Sequence, residues 1–123
     1  MKRITPRAQR IGDQIQRELM ELLRAEVKDP RVGRITITAV EVAADYGHAK
    51  VFFTHLAGVE HAPEAVAALE HAAGFLRREL SHRLKLHSVP QLHFAYDDSI
   101  ESGLKLSRLI DAAIEEDRQH PQG

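Results

Sequence analysis

The sequence predicts an α+β domain in which a three-stranded sheet carries its helices on one face. Three observations carry that expectation. Apolar residues recur at spacings of three and four in two long stretches, and strand-like alternation rich in β-branched residues lies between them. The order read along the chain is helix, hairpin, helix pair, strand, helix, with no internal repeat, which suits a small sheet layered against helices rather than a βαβ array. At 123 residues the chain can build one core and is too short for two ordinary domains. The domain is expected over residues 1–114, with a flexible tail over 115–123.

The first helix has Thr5 as N-cap and Pro6 at its first position, and its stripe runs through Ile4, Ala8, Ile11, Ile15, Leu19, Leu22, Leu23 and Val27. Asp29-Pro30 ends it. Its outward side holds Arg7, Arg10, Arg17 and Arg24 among Asp13, Glu18 and Glu21, so it reads as mixed in the middle and basic at the ends. A hairpin follows, with strands over 34–42 and 49–54 joined by a turn at Asp45-Tyr46-Gly47. The apolar phase shifts between Ala39 and Val40, which predicts a bulge or a strand end buried on both sides. Pro63 opens a second helical stripe of Val66, Leu69, Ala73, Leu76, Leu80 and Leu84. Leu92, Phe94 and Tyr96 then alternate as a third strand behind Pro90. Asp98 and Glu101 have capping-box spacing ahead of a last helix carrying Ile100, Leu104, Ile110 and Ile114.

Gly74 interrupts the second stripe. A glycine inside a helix costs about 1 kcal/mol relative to alanine, so Ala72-Ala73-Gly74 predicts a kink or a break into two short helices. Two explanations stand side by side: backbone approach to a phosphate chain, favoured by the basic side chains one turn later, and close packing of the helix on the sheet.

Composition narrows the function classes. With 43% hydrophobic and 28% charged residues and no long apolar run, the chain reads as globular, without a membrane partner or secretory signal, and cytoplasmic. It has no cysteine, which removes disulfides and thiolate chemistry. Net charge is -1 but segregated. Residues 1–34 hold nine Lys/Arg against five Asp/Glu and residues 71–96 hold four against one, while residues 35–70 and 97–123 each sum to -4. If the basic segments meet in space they make one positive face; otherwise they are scattered solvated charges.

Catalytic and cofactor constellations are weak. Asp97, Asp98, Ser99 and His93 could serve acid–base chemistry, but alternation aims His93 away from Leu92 and Phe94, and the carboxylates suit a helix start. The eight histidines, at 48, 55, 61, 71, 82, 87, 93 and 120, include no pair at helical i, i+4 spacing, and no cysteine completes a metal set. No glycine-rich phosphate loop exists, so no cofactor is expected. Tryptophan is absent and most of the six Phe and Tyr residues belong in a core, so RNA recognition would run through backbone and shape rather than base stacking. The cations available for it are Arg7, Arg10, Lys28, Arg31, Arg34, Arg77, Arg78, Arg83 and Lys85.

Helix, hairpin, helix pair and strand is the order of the bacterial (type II) KH domain, in which a GxxG loop joins the helix pair. Ala72-Ala73-Gly74 stands at that junction. Together with Lys28-Asp29-Pro30-Arg31-Val32, Ile35-Thr36-Ile37-Thr38-Ala39-Val40, Ala49-Lys50-Val51, Gly74-Phe75-Leu76-Arg77 and Val89-Pro90-Gln91-Leu92-His93-Phe94, the chain resembles the ribosome-binding factor A family from about Arg7 to Leu109. The resemblance implies a KH-like fold with an Ala-x-Gly kink in place of GxxG. It also implies a non-catalytic assembly factor that binds the small ribosomal subunit and its precursor RNA, assists late maturation and RNA processing, and supports growth in the cold; the chain is expected to act as a monomer. Cooperation with ribosome-associated GTPases is implied likewise. Arg7, Arg10, Arg31, Ala72, Gly74 and Arg77 fall on the family's motifs. His87 and Gln91 depart from them, standing where Arg and Glu are common. The competing reading is a protein-interaction module on the same frame, without direct RNA contact.

Overall fold

A computed structural model of the chain describes residues 5–86 and 88–99. Its elements are α1 (Pro6–Ala25), β1 (Ile35–Val42), β2 (His48–His55), α2 (Ala62–Leu84) and β3 (Gln91–Tyr96), with 3₁₀ turns at Pro30–Val32 and Val59–His61. The α+β class and the three-stranded sheet are as expected. The Thr5 hydroxyl accepts the Ala8 N–H at 3.1 Å, satisfying an amide that has no helical partner.

β2 is the central strand, antiparallel to β1 and parallel to β3. A parallel neighbour needs a crossover, and α2 supplies it. Period-two alternation sends Ile35, Ile37, Val42, Ala49, Val51, Phe53 and Leu92 into the core, where they meet Ile15, Leu19 and Leu22 of α1 and Leu69, Leu76 and Leu80 of α2. The opposite face of the sheet presents Thr36, Glu41, His48, Lys50, Gln91 and His93, all exposed. Both helices therefore lie on one face. Neither of them is long and apolar enough to cross a membrane.

The register slips between Ile37 and Ala39, leaving Thr38 as the extra residue. The sequence pattern places the slip slightly later because Ala39 is too small to mark either face. α1 lies along the outer edge of β1. Gln16 Nε2 donates to the Ile37 carbonyl at 3.1 Å, the Ile37 N–H points to Met20 Sδ at 3.1 Å, and a Cβ on Gly12 would stand 2.5 Å from the Val40 carbonyl oxygen. The edge that would otherwise offer unpaired backbone groups is thus covered by a helix approaching at glycine distance.

Of the two forms expected at Ala72-Ala73-Gly74, the break into two short helices does not form. α2 runs as one helix through 23 residues, so the expected helix pair is a single element. Leu69 before the glycine and Leu76 and Leu80 after it are all fully buried on one face. Breaking the helix would take those side chains out of line, at a cost above the roughly 1 kcal/mol that Gly74 imposes. Gly74 is exposed, its φ is not positive, and a Cβ there would meet nothing within 4 Å beyond its own turns of helix. Close packing is therefore not its reason. Gly74→Ala is predicted to raise the unfolding free energy by about 0.5–1 kcal/mol in a urea titration; a loss of stability would show that the helix depends on this glycine. The last helix expected from Ile100 onward, the tail over 115–123, Ile4 and His87 lie outside the described residues.

Candidate nucleic-acid interface

Three of the expected contact residues are engaged inside the molecule. Arg31 Nε reaches both oxygens of Asp29 at 3.1 Å, and its Nη2 reaches Oδ2 at 2.7 Å. The Arg31 side chain, helped by its own backbone N–H, pulls the Asp29 carboxyl down to about 2 and is itself raised by the pair. Because the folded value lies below the ordinary 3.8, the pair's stabilisation is present above that pH and is lost as pH falls through about 2. A carboxyl ¹³C titration is predicted to place the Asp29 midpoint near 2, and Arg31→Ala to return it toward 3.8. An Asp29 midpoint that ignores Arg31→Ala would contradict the pairing. Arg83 bridges the two helices, with Nη1 at 2.9 Å from Glu18 and 3.5 Å from Glu21. The Glu18 hydrogen bond is the main reason its guanidinium is shifted up. Arg77 Nη2 donates to the Val89 carbonyl at 3.0 Å, while its buried Nε has no partner among the described residues. Arg77 thus ties α2 to the approach of β3.

Arg83 changes the electrostatics of α1. Its pairing with Glu18 and Glu21 offsets two carboxylates of that helix, while the side of α1 away from the sheet carries Arg10, Arg17 and Arg24, all exposed, with Asp13 and Glu21 among them. These arginines repeat every seven residues and stand opposite the buried Ala8, Ile15, Leu19 and Leu22. Arg78 is exposed on α2 opposite the buried Leu76 and Leu80, so its side chain belongs to the same outer helical face. Arg7, at the start of α1, stacks over Tyr46 of the hairpin turn at 5.5 Å, where Tyr46 holds a left-handed φ of 59°. Lys85 ends α2 in a left-handed conformation and is exposed. α1 and α2 run antiparallel, since Glu18 and Glu21 meet Arg83 while residues 26–29 meet the middle of α2. Arg7, Arg10, Arg78 and Lys85 accordingly share one half of the helical layer. Lys28 and Arg34 are exposed at the other end with Arg31. Sequence reasoning misses Arg17 and Arg24, taking them as parts of a mixed face; their i, i+7 spacing from Arg10 is the signal available.

At the carboxyl end of α1 a cleft of about 410 Å³ opens, lined by Val27, Ala68, Ala72 and Phe75 with Glu26, Lys28, Asp29 and His71 around them. Ala72 belongs to this cleft, and Gly74 lies outside it.

The two groups weighed for acid–base chemistry, His93 and Asp97, do not come together. His48 Nδ1 and His93 Nε2 lie 2.9 Å apart and share a hydrogen, their rings 5.1 Å centre to centre. Asp97 sits four residues along from His93, on the order of 13 Å at strand rise, too far for a shared proton. It accepts the Ser99 N–H at 3.0 Å and the Thr38 hydroxyl at 2.6 Å, and hydrogen bonds from Ser99 and Thr38 hold its carboxyl below the usual range. Asp97 thus ties the end of β3 to the bulge in β1. Among the described residues no group of three or more His, Asp or Glu converges on a metal position.

Fold and site define a small α+β domain of KH-like order whose helical layer, rather than its sheet, carries the exposed arginines. The sequence model of one family covers most of it. The chain belongs to the ribosome-binding factor A family, whose model matches residues 7–110. The ribosome-binding factor A of Azoarcus sp. (strain BH72) is 60% identical over 111 residues, covering 90% of this chain and 88% of that protein. The crystal structure of ribosome-binding factor A from Thermus thermophilus matches with a TM-score of 0.65 and 27% identity, over 72% of this chain and 93% of that one. A homology model of the Thermus thermophilus factor, fitted into the cryo-EM map of a complex of the 30S subunit with it, matches with a TM-score of 0.59 and 28% identity, over 71% of this chain and 91% of that one.

Proposed function

We propose that this chain is a non-catalytic assembly factor that binds the small ribosomal subunit through the phosphate backbone of its RNA. Arg7, Arg10, Arg17, Arg24, Arg78 and Lys85 are the contact residues in this reading. The observation that carries it is the row of exposed arginines on α1, Arg10, Arg17 and Arg24, with Glu18 and Glu21 paired to Arg83 and with Arg78 exposed on α2. Family membership and the related factor's complex with the 30S subunit support the choice of partner. Phe53 is fully buried and Tyr46, Phe75, Phe94 and Tyr96 pack against the core; Phe52, beneath Lys50 on the sheet's open face, is the aromatic left outside it among the described residues, so recognition in this reading is mainly of backbone and shape. Arg31, Arg77 and Arg83 serve by holding the helices and the turn after α1 in place, and Lys28 and Arg34 lie at the far end of the layer.

The same proposal includes action as a cytoplasmic monomer in late subunit maturation and RNA processing, with growth in the cold as the condition that demands it. Release would fall to a partner such as a ribosome-associated GTPase. Co-sedimentation with immature and mature small subunits tests the assembly role: immature particles are expected to retain more of the protein, and retention by neither would remove the proposal.

A further inference from the structure

We infer that the cleft at the carboxyl end of α1 docks a polypeptide presenting one apolar anchor side chain between charged neighbours of both signs. The inference rests on the reading above in one respect, that this polypeptide belongs to the particle the helical face binds. The cleft has the anatomy of a protein interface, an apolar centre of Val27, Ala68, Ala72 and Phe75 inside a polar rim. The small side chains at 68 and 72 keep it open. Its rim is electrostatically mixed: Lys28 stands among Glu26 and Asp29, and Arg31 feels both Asp29 and Glu64 of the first turn of α2. A polyanion gains little from such a rim, whereas a polypeptide can match both signs.

A second observation lies at the same end of the molecule. Leu56 is 83% exposed and Val59 45%, and they are the exposed large hydrophobics among the described residues. Both sit on the turn that leads into α2. Leu56 N–H donates to the Arg34 carbonyl at 3.0 Å, which fixes the turn beside the Pro30–Val32 segment. From there His61, Glu64, Ala68, Ala72 and Phe75 follow at helical spacing along one side of α2 into the cleft. Apolar tip, polar step and apolar cleft thus follow one another along one side of α2.

Two variants test it. Val27→Trp fills the cleft from the α1 side, and Leu56→Ser with Val59→Ser removes the apolar tip without touching the core. Affinities are measured for intact small subunits and for protein-free small-subunit RNA. Each variant is expected to bind intact subunits about 30-fold more weakly, the loss typical of an anchor residue, and to bind protein-free RNA like the unchanged chain. Equal weakening on both would mean that RNA occupies the cleft, and unchanged affinity on both would mean that nothing docks there. Either result overturns the inference while leaving the arginine face intact. An unchanged chain that binds neither target would overturn both readings.

Discussion

Gly12→Ala is expected to lower the unfolding free energy by about 2 kcal/mol, although the same change at an unencumbered helical site raises it by about 1 kcal/mol. The added methyl would stand 2.5 Å from the Val40 carbonyl oxygen, so α1 or β1 must move. Backbone yields less readily than a flexible side chain, and overpacking of this kind costs about 1–3 kcal/mol. The displacement also stretches the Gln16 bond to the Ile37 carbonyl and the Met20 contact with the Ile37 N–H, interactions of about 1 kcal/mol in the better case. Together these outweigh the gain in helix propensity. In thermal unfolding the loss corresponds to a fall of about 10 °C for a domain of this size. A midpoint equal to or above that of the unchanged chain would show that α1 does not press against β1.

Replacing Arg10, Arg17, Arg24 and Arg78 together by Gln is expected to weaken small-subunit binding by about a hundredfold while leaving unfolding within about 0.5 kcal/mol. All four side chains are exposed and none has a charged partner among the described residues. With all four at phosphates and each solvated contact worth about 0.7 kcal/mol, the loss is about 3 kcal/mol. Arg83→Gln provides the contrast. It removes the bridge to Glu18 and Glu21 and leaves two carboxylates without their cation beside the arginine row, so its effect on binding is indirect and accompanies a loss of stability. Equal losses from Arg83→Gln and the fourfold variant would mean that helix packing, not surface charge, decides binding.

The two glycines show what the sequence could and could not reveal. Gly74 and Gly12 impose the same local cost on their helices, and only the first interrupts an obvious apolar stripe, so it drew the functional reading. The close approach that requires glycine occurs at Gly12, and it is invisible in one dimension because Val40 is 28 residues away in the chain. The helices and strands themselves were legible: the Thr5 cap, the Pro6 start and the alternation of β1 and β3 are local signals that the tertiary structure obeys. The continuity of α2 through Gly74 was not, since burial of Leu69, Leu76 and Leu80 on one continuous face overrides a local propensity. The candidate site divided in the same way. Arginine positions could be read directly, but which acids neutralise which bases depends on α1 meeting α2. Glu18 and Glu21 looked like interruptions of the basic face until Arg83 claimed them. Asp29 and Arg31, two residues apart, formed a local pair that the Asp-Pro-Arg motif already held within reach.

The salt dependence of binding to small-subunit RNA tests the arginine face most directly. Six cations at phosphates predict a log–log slope of roughly -4 to -5, and the fourfold Gln variant should bring it to roughly -1 to -2. A flat slope for the unchanged chain, or the same slope for both proteins, would contradict binding through this face.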